Sequence, residues 1–131
     1  MNIDISNIAP SEREVALQHP GTGDDLGMIW TLRSPHDPHV LDVQRKFQAD
    51  RLKKRRADMS PDEFEALQIR TLVAHVSGWS FTDPNLTLDG EQPIFSQNLC
   101  QQVLRKHVWI REWLNIETGN AADFYRGSEN G

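Results

Sequence analysis

At 131 residues and 15.0 kDa, with 37% hydrophobic and 25% charged residues, the chain has the length for one domain with a real core and is short for two. A mean hydropathy of -0.59 and the lack of any apolar run near the roughly 18 residues of a membrane span argue against a membrane protein. The formal charge of -5 hides an asymmetry: Val43 to Arg56 holds seven of the fourteen Lys and Arg residues against one acid, a local +6 that leaves -11 on the remainder.

The opening, MNIDISNIAPSERE, has neither the basic start nor the apolar stretch of a signal peptide, and the one cysteine, Cys100, has no partner in the chain. Both features predict a reducing cytoplasm. Residues 1–12 show no sustained period and are expected to be flexible or dependent on a partner. Val15 and Leu17 then alternate with polar or small neighbours, and Gly27 to Leu32 places Met28, Trp30 and Leu32 on one side. With the turn-rich Pro20 to Asp25 between them, the two runs predict a β-hairpin with a long loop. A lone hairpin is marginal, so its apolar side must cover helices.

Asp37 and Pro38 have the chemistry of a helix start. From His39 to about Arg56, Val40, Val43, Phe47 and Leu52 trace a narrow apolar stripe, and the bases occupy the opposite side. Ser60-Pro61-Asp62-Glu63 is a capping box with proline at the first helical position. The helix it opens is expected to run to about Val76 with Phe64, Leu67, Ile69, Leu72 and Val73 buried, and Gly78 is placed to end it. Ser96 caps the next helical pattern, in which Leu99, Cys100, Val103 and Leu104 and then Trp109, Ile110, Trp113 and Leu114 share a face, with a bend near Lys106-His107. Gly119-Asn120 closes it, Ala121 to Tyr125 can add one turn, and residues 127–131 are expected to be flexible.

Between the last two helical regions lies a non-periodic connector rich in large apolar groups: Trp79, Phe81, Leu86, Leu88, Ile94 and Phe95. Burying these with Trp109 and Trp113 removes several hundred Å² of apolar surface from water, at roughly 25 cal/mol per Å². They are the predicted core. The fold class expected is α+β and mainly helical: an N-terminal β-hairpin followed by three or four packed helices in one domain, 1–131.

Motifs for chemistry are weak. His36 and His39 are three apart but lack a third ligand at helical spacing. Asn85 to Gly90 mimics a calcium loop and fails at the twelfth position, where Ser96 replaces the bidentate Glu. Gly21-Thr22-Gly23 precedes two aspartates that would repel phosphate. No catalytic, cofactor or metal site is therefore assigned, and the chain is read as no enzyme. The basic run, Arg51, Lys53, Lys54, Arg55 and Arg56, has three readings: a solvated helix end, a contact with a protein partner or a second copy, or a nucleic-acid contact. The acidic remainder weighs against nucleic acid.

Gly78-Trp79, then Asp89-Gly90-Glu91, Ile94-Phe95-Ser96 opening a helix, and Trp109 with Trp113 beyond it, resemble the tail assembly chaperones of long-tailed bacteriophages. The resemblance spans about residues 13–124 and includes the hairpin and basic helix that precede the motif. It implies a nonstructural chaperone, without catalytic residues, that coats the helix-rich tape measure protein and assists tail tube assembly. The implied partners are the tape measure protein, the tail tube protein and further copies of the chain. The implied location is the host cytoplasm, with none in the mature virion. A small nucleic-acid-binding regulator using residues 45–56, or a virion tail-completion or connector protein, are the alternatives.

Overall fold

A computed structural model describes residues 3–53 and 59–125. Strand β1 (Arg13–Gln18) pairs antiparallel with β2 (Asp25–Leu32), so the hairpin forms where alternation and turn chemistry place it. The register sets Val15 opposite Trp30. Since alternate residues face one side of a strand, Met28, Trp30 and Leu32 are buried together against the helices.

Helix α1 (Pro38–Lys53) starts with the Asp37 carboxylate accepting from the His39 N–H at 2.8 Å. Helix α2 (Pro61–Ala74) starts at Ser60, whose hydroxyl accepts from the Glu63 N–H at 3.2 Å. It buries Ile69, Leu72, Val73 and Ala74, all in its second half. The helix ends at Ala74 with His75 as its cap, and the chain then enters a third strand, β3 (Val76–Phe81). This corrects the expected order, a hairpin followed only by helices. Gly78 does not stop a helix; it lies inside β3, opposite Thr31. The strand pairs with the free edge of β2, setting Trp79 opposite Trp30, in an antiparallel sheet of order β1-β2-β3. A two-stranded hairpin is marginal, and this third strand supplies both hydrogen bonds and an aromatic partner. The fold is thus α+β, with strands near the N-terminus and four described helices.

The remaining two helices are α3 (Gln97–Lys106) and α4 (Val108–Glu117). Ser96 caps α3, its hydroxyl accepting from the Leu99 N–H at 3.1 Å. The anticipated bend is a break: His107 has extended angles, φ -112° and ψ 91°, and separates the two helices. The turn anticipated after Asn120 is a short 3-10 helix, Ala121–Phe124, and a second lies at Ile5–Asn7. Residues 127–131, expected to be flexible, lie outside the described residues.

The core joins Leu17, Met28, Trp30 and Leu32 of the sheet to Ile69, Leu72 and Val73 of α2 and to Cys100, Leu104, Ile110 and Leu114 of α3 and α4. Phe124 is fully buried with them. The connector packs on this core through half-buried Trp79, Phe81, Leu86, Leu88 and Phe95, as do Trp109 and Trp113. Ile94 is a correction: it is 92% exposed. Its neighbours Pro93 and Phe95 are half-buried, and in an extended segment the residue between two inward ones turns out.

Candidate functional site

The residues of the Gly-Trp to Trp motif come together, but as scaffolding. Trp30 is the fully buried centre, with Trp79 at 5.1 Å and Trp113 at 5.7 Å between ring centroids. Phe95 stands edge-on to Trp79 at 5.0 Å, and the Trp79 Nε1–H donates to the Pro93 carbonyl at 3.0 Å. Trp109 does not join that stack; it lines a cavity of about 210 Å³ with Leu86, Leu88, Val103 and His107. Asp89 and Gly90, at φ 54° and 85°, form the turn of a small Leu88–Glu91 bridge. Positive φ at both central positions suits Asp-Gly. The Asp89 carboxylate accepts from Lys106 Nζ at 2.9 Å, and that hydrogen bond and charge hold its pKa below the usual carboxylate range.

The basic helix is a different kind of surface. Helix α1 packs on α2 as an outer layer, and Val40 is the one of its residues that is fully buried. Phe47 meets Phe64 of α2 edge-on at 6.3 Å. Arg51 lies over both rings, 5.9 Å from Phe47 and 5.7 Å from Phe64, so its guanidinium already serves the α1–α2 contact. Lys53 is exposed at the end of α1, and Lys54, Arg55 and Arg56 lie outside the described residues.

Because α1 touches α2 through a narrow stripe, open grooves flank it. One, of about 720 Å³, runs between α1, α2 and α4 and is lined by Phe47, Leu72 and Thr71 with Gln44, Gln48, Gln68 and Asn115. A second, of about 340 Å³, lies on the α3 side against Val43, Leu67, Arg70 and Gln101. Arg51 and Leu52 near the end of α1, with Met59, Pro61 and Phe64 at the start of α2, line an apolar cleft of about 650 Å³. Phe64, expected on the buried face of α2, is half-buried here. Its position in the first turn of α2, away from the sheet, leaves it half open.

Cys100 and His75 are both enclosed. Burial pushes the Cys100 thiol up to about 12, which leaves it un-ionised near neutrality. Burial also lowers the pKa of His75, whose Nδ1 lies 3.0 Å from the Thr71 carbonyl at the end of α2. His36 Nδ1 meets the Tyr125 hydroxyl at 2.9 Å, tying the start of α1 to the last described residue. Among the described residues no group of three or more His, Cys, Asp or Glu is placed to hold a metal ion, and no helix is long and apolar enough to cross a membrane. Comparison with protein-family models, curated proteins and solved structures finds no match.

Proposed function

We propose that this protein is a non-enzymatic tail assembly chaperone of a long-tailed phage, binding the tape measure protein and assisting assembly of the tail tube. The observation that carries the reading is the poor coverage of the α1–α2 hairpin. An outer helix with one fully buried residue leaves a groove of about 720 Å³ on one side and one of about 340 Å³ on the other. A groove with an apolar lining and an amide-rich rim suits an amphipathic helix, which lays its apolar stripe inward and its polar flanks on the glutamines. A tape measure protein is a long array of such helices. The resemblance of the Gly78 to Trp113 motif supports the same reading. In it the chain works in the host cytoplasm, associates with itself and with tail tube subunits, and leaves before the virion matures.

Co-expression tests this directly. The cognate tape measure protein should gain soluble fraction and co-purify with the chain. Phe47→Asp, placed on a half-buried residue that lines both grooves, should abolish co-purification. An unchanged soluble fraction and no co-purification with the unaltered chain would refute the chaperone reading.

A further inference from the structure

The cavity beside Trp109 lies apart from the grooves along α1 and shares no lining residue with either of them. Its floor is the inner face of the sheet toward the hairpin turn, where strand alternation sets Leu17, Met28 and Trp30 on one side. One wall is the elbow between α3 and α4. There the extended His107 parts the two helices, and Val103, His107, Trp109 and Ile110 line the space left against the sheet. The other wall is the connector, with half-buried Leu86 and Leu88 and with exposed Thr87 and Asp89 at the rim. That connector is tied down twice. Gln92 Nε2 donates to the Asp83 and Leu86 carbonyls at 2.9 and 2.8 Å, and Lys106 of α3 holds Asp89.

Two of the lining residues carry polar atoms that the chain leaves unpaired. Trp30 is fully buried, and among the described residues its indole N–H has no acceptor. His107 Nε2 is buried as well and has no partner among them. Buried donors and acceptors are nearly always paired, so two orphans on the lining of one cavity mark a place where something other than the chain supplies the partner. A water molecule satisfies a polar atom but takes up only ~30 Å³. Most of the cavity, about 210 Å³ of space bounded by aromatic and aliphatic groups, would then stay a void against a lining that gains from contact.

We infer that this cavity is a binding site for a small aromatic alcohol, a single ring carrying a hydroxyl group. Size sets the first limit. An apolar cavity of about 150 Å³ takes up benzene, so this one admits a single substituted ring. The lining sets the second. Phe81, Trp30 and Trp109 offer ring edges and faces to an aromatic guest, and the leucines and Val103 complete the apolar surround. The orphan atoms set the third. A hydroxyl both donates and accepts, so it can serve the Trp30 N–H, which only donates, and His107 Nε2 in either tautomer. A hydrocarbon leaves both atoms unpaired, and a charged ring leaves its charge among apolar groups. The site is independent of tape measure binding and stands or falls without it.

Nuclear magnetic resonance titration of the isotope-labelled full chain with p-cresol, and separately with toluene, tests the inference. The two probes share a ring and a methyl group and differ by the hydroxyl alone. p-Cresol should bind saturably with a Kd of roughly a millimolar or below. It should move the Trp30 indole N–H resonance or the His107 ring resonances. Toluene should bind about tenfold more weakly, the difference one buried hydrogen bond makes. A cavity without usable polar atoms would do the reverse and prefer toluene. Two variants fill the space from opposite sides: Val103→Phe from α3, and Leu86→Trp from the half-buried connector. Each should lose p-cresol binding while keeping a cooperative melt, and the second alters no fully buried position. An absence of saturable p-cresol binding, toluene binding as tight as p-cresol, or resonance changes that bypass both Trp30 and His107 would overturn the inference. So would undiminished p-cresol binding by either filled variant in its folded state.

Discussion

Removing the indole of Trp30 is the most direct probe of what holds this fold together. Trp30 is fully buried, stacks near Trp79 and Trp113, and sits in register with Val15 on one side and Trp79 on the other. Trp30→Ala therefore deletes a side chain of β2 that meets Trp79 of β3 and Trp113 of α4. A large-to-alanine change at a closed core site costs about 4–5 kcal/mol, a large part of the ~5–15 kcal/mol that stabilises a typical domain. For 131 residues, an unfolding entropy of ~2.1 cal/mol/K per residue turns that loss into a fall in Tm of about 15 °C. Trp79 is half-buried and donates one hydrogen bond, to the Pro93 carbonyl. Trp79→Ala should accordingly cost about 2–3 kcal/mol. Thermal and urea unfolding followed by circular dichroism measure both. If Trp79→Ala costs as much as Trp30→Ala, or Trp30→Ala melts within a few degrees of the wild type, the assignment of Trp30 as the centre is wrong.

Acid should weaken the fold through His75. Burial lowers its pKa in the folded state, helped by Arg33 and opposed by the Thr71 carbonyl and Asp37. The unfolded chain thus takes up a proton from about pH 6.5 downward before the folded one does. Stability is complete above that pH and falls as pH drops below it; urea midpoints at pH 7.5 and 5.5 should show the loss, and His75→Gln should reduce it. Two glycines should behave oppositely. Gly27 has φ 94°, and a Cβ there would stand 2.3 Å from the Asp83 Cβ, so Gly27→Ala should cost more than about 2 kcal/mol. A Cβ at Gly78 meets nothing within 4 Å, and Gly78→Ala in a strand should change stability by under about 0.5 kcal/mol or raise it slightly. Equal losses at the two sites in thermal melts would contradict the placement of Gly78 in β3.

The local chemistry of this chain wrote much of its structure. The hairpin followed from alternation around a turn-rich segment. The caps at Asp37, Ser60 and Ser96 followed from side chains that can satisfy the first free N–H groups of a helix. The Asp89-Gly90 turn followed from the need for positive φ at both positions. Each of these is decided within about four residues. The third strand was not legible, because Val76 falls on the apolar spacing of α2, Ser77-Gly78 reads as a helix stop, and only the open edge of β2 selects the extended form. The same holds for the centre of the core. Trp30, Trp79 and Trp113 are far apart in sequence, and which of them is enclosed depends on the helices that close over the sheet. Phe124 was read only as part of one added turn, yet it is fully buried, because the C-terminal segment folds back against Ser11 and Arg13. The candidate surfaces divide in the same way. The sequence shows a basic, narrow-striped helix from composition alone. Only the packing of α1 on α2 determines that Arg51 covers two phenyl rings and that grooves flank the helix.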